Sequence, residues 1–181
     1  MVVIALSHPV AQPDMDWWDG YIGRTPGNRR LATIAKKLKS WFRAVHCAES
    51  RNLPYQICRG GIFLKDAAAI AGLGVIGKNN LLVTPQYGPR IRLGALWLDR
   101  SVDRAEPNDR FAPCDGCDAP CQRACPMEGF HGGSYQPSRC MRQMARDEAC
   151  KIEIGPPLYG VPARYGVAYC RRCELACPVG S

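Results

Sequence analysis

Between residues 114 and 126 the chain reads CDGCDAPCQRACP, and between 170 and 178 it reads CRRCELACP. The first run supplies Cys114, Cys117, Cys121 and Cys125, the second Cys170, Cys173 and Cys177, and Cys140 stands alone between them. Thiolates separated by two or three residues converge on one metal centre because so short a loop curls around it. Each run closes on Cys-Pro, where the fixed φ and missing N–H of proline end the loop and turn the chain away. Eight such cysteines are the number that two four-iron clusters need when every iron is held by sulfur.

A fourth ligand for each cube must come from outside its own short loop. In bacterial two-cluster ferredoxins the cysteine before the proline crosses to the other cluster. By the same crossing, Cys114, Cys117, Cys121 and Cys177 hold one [4Fe-4S] cluster, and Cys125, Cys140, Cys170 and Cys173 hold the other. The competing reading is a pair of structural zinc sites with four thiolates each, since zinc also uses CxxC pairs. Zinc knuckles come in twos, however, and have no need of three-cysteine runs closing on Cys-Pro. Asp118, Ala119 and Pro120 put three residues between Cys117 and Cys121 where the ferredoxin run has two, so a bulge is expected there.

The chain has 181 residues, 46% of them hydrophobic, enough for a packed core. It opens on an apolar run too short for a signal peptide or a membrane span and with no basic stretch ahead of it. That predicts a cytoplasmic protein with no membrane partner. Eleven cysteines are many for a reducing compartment, where disulfides are rare and metal ligation is the expected use. The formal charge of +8 favours polyanions, although two thiolate-bound clusters at roughly −2 each would leave about +4.

Residues 1 to 108 hold two cysteines and residues 109 to 181 nine. The charged, proline-bearing stretch DRAEPNDRFAP separates them, so the expected boundary divides an α+β domain over 1–108 from a ferredoxin-like domain over 109–181. Within the first, VVIAL reads as a buried strand. NRRLATIAKKLKSWFRAV sets Leu31, Ile34, Ala35, Leu38, Phe42 and Val45 at helical spacing, with Asn28 as the N-cap candidate. The opposite face carries Arg29, Arg30, Lys36, Lys37, Lys39 and Arg43, either a solvated surface or a nucleic-acid contact. LLVT and RIRLGALWL around QYGP read as a β-hairpin. GLGVIG at 72–77 matches GxGxxG, but a short helix, KDAAAIA, precedes it and strand-like NNLLVT follows. A dinucleotide fold needs the reverse order.

Cys47, Cys58 and Cys150 fall outside the eight. Cys47 and Cys150 are expected to be small buried apolar residues. His8, His46 and His131 receive no role, and His46 beside Cys47 is no evidence of a catalytic pair, because chain neighbours need not face each other.

The stretch KDAAAIAGLGVIGKNNLLVTPQYGPRIRLGALWLD, followed by CxxCxxxCxxxCP, lone Cys140 and CxxCxxxCP, resembles the epoxyqueuosine reductase family and its shorter relatives. The resemblance covers most of the chain, from SHP at residue 7 to the end. It implies an oxidoreductase in which two [4Fe-4S] clusters deliver electrons to a cobalamin in an adjoining α+β domain, here a reduced one over 1–108. It also implies a role in queuosine biosynthesis, reduction of the epoxide of epoxyqueuosine in a tRNA anticodon, with a ferredoxin or flavodoxin as electron donor. Reductive dehalogenases look similar in the same two parts. One alternative is a ferredoxin-like electron-transfer protein or subunit without its own active site. Another has the clusters only bracing a tRNA-binding surface on the basic helix. Against the family pattern the chain begins at a strand well inside the cobalamin domain and stops four residues after Cys177. Cys58 falls where the family carries the aspartate proposed as proton donor. A thiol can also donate a proton, which makes Cys58 the candidate catalytic residue, against the simpler expectation of an inert buried cysteine.

Overall fold

The computed structural model describes residues 1–103, 106, 110–155 and 163–180. IRLGALWL, almost free of polar residues, becomes the centre of the main sheet as β6 (Ile91–Leu98). β1 (Val2–Ser7) pairs antiparallel along one side, from Val2 opposite Leu96 to Ser7 opposite Ile91. β3 (Ser50–Leu53) pairs along the other. As an edge strand β1 is mostly half-buried, so the apolar run that reads as an interior strand is covered on one side only.

The expected hairpin does not form. β5 (Leu82–Val83) pairs instead with β4 (Val75–Ile76), leaving β6 to the main sheet. Burial decides the pairing: Leu82 and Val83 are core residues, and at Gly74 an added Cβ would collide with the Val83 carbonyl. Gly74 of GLGVIG therefore serves a close backbone approach. Only an isolated bridge, Thr84 to Gly88, closes the QYGP loop.

α1 (Pro26–His46) lies across β6 through buried Leu31 and Ala35, and Gly94 leaves room for it, since a Cβ there would sit 3.3 Å from the Leu31 side chain. Ile34, Leu38 and Phe42 are half-buried, while Val45 at the last turn is exposed. The N-cap is Thr25, not Asn28: Thr25 Oγ1 accepts the Asn28 N–H at 3.1 Å, and Pro26 occupies the first turn. Asn28 is diverted to Arg92, whose Nη1 donates to its Oδ1 at 3.0 Å. Thr25→Ala is expected to cost about 1 kcal/mol of unfolding free energy, measurable as a shift in the urea midpoint at unchanged slope.

α2 (Leu64–Ile70) packs Ala67 and Ala68 into the same core. A second sheet, in the order β2 (Trp18–Asp19), β8 (Arg164–Val167), β7 (Ile152–Gly155), joins residues 18–19 to the cysteine-rich half. α3 (Pro120–Arg123), α4 (Pro137–Ala149) and α5 (Arg172–Leu175) complete a mixed α/β architecture in which every described strand pair is antiparallel. The expected boundary at 108/109 falls outside the described residues. No described helix is long and apolar enough to cross a membrane.

Candidate metal centre

Cys114 and Cys117 sit on one turn, closed by the Cys117 N–H donating to the Cys114 carbonyl at 3.3 Å and by Gly116 at φ 68°. The extra residue in DAP is absorbed by Ala119, which takes a left-handed conformation (φ 55°) and starts α3 at Pro120. Cys121 thereby turns inward and is buried. Cys177 reaches it from the far end of the chain, pinned by buried Arg90, which donates to the Cys177 carbonyl at 3.3 Å and the Val179 carbonyl at 2.7 Å.

The thiols influence one another in two sets of four. Burial pushes the Cys121 thiol up, and the neighbouring charges of Cys177, Cys114 and Cys117 push it further. Burial likewise pushes Cys173 up to about 12, with Cys170, Cys125 and Cys140 adding to it. Cys170 is raised by burial and by Asp147, Cys125 and Cys140. Each set draws sulfurs from both runs, and deprotonating all four thiols without a cation would be unfavourable. A bound metal reverses that balance, because ligation requires thiolates. Among the described residues no three His, Cys, Asp or Glu side chains are grouped as a site for a single ion.

Backbone donors already point at the sulfurs. Lys78 N–H donates to Cys114 Sγ at 3.3 Å and Gly129 N–H to Cys125 Sγ at 3.1 Å. Hydrogen bonds of this kind stabilise thiolate charge and tune cluster potential. The segment after GLGVIG wraps the same region: Lys78 Nζ donates to the Cys117 carbonyl at 2.8 Å, and Asn79 Nδ2 to the Cys173 carbonyl at 3.4 Å. Lys78, Asn79 and Arg90 carry no metal-ligand signal in the sequence, because they act on backbone carbonyls. Thiol donors with backbone N–H groups aimed at two of them suit iron–sulfur ligation in their chemistry.

A second polar cluster, not anticipated from the sequence, joins the sheet to the cysteine-rich half. His8, 5% exposed, places Nδ1 2.6 Å from Asp16 Oδ2 and Nε2 3.5 Å from Glu174 Oε1. Arg92 and Arg171 both pair with Asp16, and Arg171 also pairs with Glu174. The group borders a cavity of about 470 Å³ that Trp18, Met144 and Tyr169 help to line. Desolvation lowers the His8 pKa to about 4, with Glu174 opposing and Arg171, Arg92 and Arg90 assisting. The folded state therefore binds fewer protons than the unfolded chain between the ordinary histidine value of about 6.5 and about 4. This contribution to stability is complete above pH 6.5 and is lost as pH falls toward 4. The urea midpoint should drop over that interval in the wild type, and His8→Gln should flatten the drop.

Cys58 lies on an exposed turn, Ile57–Arg59, beside exposed Tyr55, Ile57 and Phe63, and has no hydrogen-bond or ion-pair partner among the described residues. It is not the buried inert thiol of the simpler expectation. Cys47 and Cys150 are also exposed, at the C-caps of α1 and α4, because both helices end before either side chain reaches the core. On α1, Arg29, Arg30, Lys36 and Lys37 are exposed and no acidic residue occurs in the helix, while Arg43 pairs with Glu49.

No family model matches the chain. It is 27% identical over 147 residues to an epoxyqueuosine reductase of Lactococcus garvieae, covering 80% of this chain and 40% of that protein. It is 30% identical over 181 residues to an epoxyqueuosine reductase of Gloeobacter violaceus, covering 98% and 55%. The chain thus spans about half the length of the curated relatives it matches. Its fold is similar to that of an epoxyqueuosine reductase crystallised with an epoxyqueuosine-modified tRNA stem loop, with a TM-score of 0.65 at 20% identity over 98% of this chain and 48% of that one.

Proposed function

From a chain that is a short, partial-length relative of the epoxyqueuosine reductases, we propose an iron–sulfur oxidoreductase serving the reduction of a tRNA-borne epoxyqueuosine. Cys114, Cys117, Cys121 and Cys177 hold one [4Fe-4S] cluster, and Cys125, Cys140, Cys170 and Cys173 the other. Bound there, the clusters supply one-electron transfer. What supports this reading is the electrostatic influence of thiols across the two runs, Cys177 on Cys121 and Cys125 and Cys140 on Cys173. The chain's own residues direct the Lys78 and Gly129 N–H groups at two of the sulfurs and fix the crossing ligand Cys177 through Arg90. In the same reading residues 1–108 and 109–181 are an electron-using and an electron-carrying part, and the acid-free face of α1 is the side that meets tRNA.

A second reading, an electron-transfer subunit without its own active site, is favoured by one observation. Cys58, where the family has its proposed acid, stands in the open. Anaerobic reconstitution followed by titration with cobalamin separates the two. Corrinoid uptake with a changed absorption spectrum selects the reductase, and a full complement of iron without uptake selects the subunit.

A further inference from the structure

The set formed by Cys125, Cys140, Cys170 and Cys173 reaches the surface at one side: Cys170 is exposed, the other three are half-buried, and α4, which carries Cys140, buries none of its residues. The acidic side chains of α4 are engaged. Asp147 accepts the Cys170 N–H at 2.8 Å and Gln143 Nε2 at 2.8 Å, and Glu148 accepts the Tyr169 hydroxyl at 2.9 Å. Arg139 is held by Glu128 at 3.3 Å. Arg142 and Arg146 are exposed and have no acidic partner among the described residues.

A helix built only for solvent would alternate charge at i and i+4. Here Arg142 has Ser138 and Arg146 at those distances, and Arg146 has Arg142 and Cys150. Two like charges one turn apart repel, although Arg146 in the last turn also meets the negative end of the helix. The same helix exposes Met141 by 65% and Met144 by 39%, and methionine is the side chain that adapts to a partner's shape.

We infer that the exposed face of α4 docks an acidic one-electron carrier protein, which hands electrons to the cluster on Cys125, Cys140, Cys170 and Cys173. The inference rests on the cluster reading above and names the partner of that site. Charge complementarity selects a negatively charged surface, and the narrow patch with a thioether centre suits the small, transient interfaces of redox encounters. The longer acid-free face of α1 offers a polyanion such as RNA the larger footprint.

The test is stopped-flow bleaching of the reconstituted protein by reduced flavodoxin, for the wild type and for the double variants Arg142→Glu/Arg146→Glu and Arg142→Gln/Arg146→Gln. Reduction should slow by about tenfold or more on charge reversal and by less on neutralisation, and the wild-type rate should fall with added salt. Iron content and bleaching by dithionite should not change. Equal flavodoxin rates in all three proteins would overturn the inference, as would an equal loss with dithionite. Unchanged carrier kinetics with weakened binding of an anticodon stem loop would overturn it in favour of an RNA face. Protein that takes up no iron and sulfide would remove the cluster reading itself and the docking inference with it.

Discussion

Cys173→Ser is expected to cut bound iron from about eight to about four per chain, leaving one [4Fe-4S] cluster. The serine oxygen is a harder and far less acidic donor than the thiolate it replaces, and the site already disfavours charge, since burial and three neighbouring cysteines push this thiol up to about 12. Crossing makes the expectation sharper. In the proposed assignment Cys125, which belongs by position to the first run, shares a cluster with Cys173, so Cys125→Ser should abolish the same cluster, and the double variant should lose no more iron than either single one. Cys150→Ser, at an exposed cap outside both sets, should keep the full iron content. Iron and sulfide analysis with reduced-state EPR reads all four proteins. Additive loss in the double variant would mean that the two runs do not interlock.

Arg171→Met is expected to destabilise the protein by about 3–5 kcal/mol, because removing one partner from a buried ion pair leaves its charges uncompensated. Arg171 pairs with Asp16 and Glu174, and all three side chains are largely buried. Asp16 keeps Arg92, but among the described residues Glu174 retains only His8, which is neutral near pH 7 with its pKa lowered to about 4. Glu174 follows Cys173 directly, so the loss should also loosen the segment that carries Cys173 and Cys177. For a chain of this size the change corresponds to a fall in Tm on the order of 10 °C. A shift below about 1 kcal/mol would show that the cluster is wet and dispensable.

The candidate metal centre was legible as a pattern because ligand spacing follows from the reach of a short loop around a fixed inorganic body. The pattern therefore survives in one dimension. The positions of α1, α2 and β6 were legible in the sequence, whereas α4 was not read from it, its apolar positions being few. The pairing of β5 was not, because LLVT suits either partner and the choice is made by Gly74 admitting the Val83 backbone at a distance no Cβ would allow. Thr25 and Asn28 compete as caps in the sequence, since both are good capping residues, and only Pro26 directly after Thr25 marks the first turn. The His8 cluster was invisible for a different reason. Its members come from positions 8, 16, 92, 171 and 174, each an ordinary polar residue, and only the fold makes them neighbours. The exposed Cys47, Cys58 and Cys150 show the reverse failure: a residue type that is usually buried says little where helix ends and turns decide exposure.

The most direct test of interlocked cluster binding is metal and sulfide analysis of protein purified and reconstituted without oxygen. Interlocked cubes predict brown protein with about eight irons and eight acid-labile sulfides per chain, bleached by dithionite. Colourless protein that carries only zinc on its thiolates would contradict it.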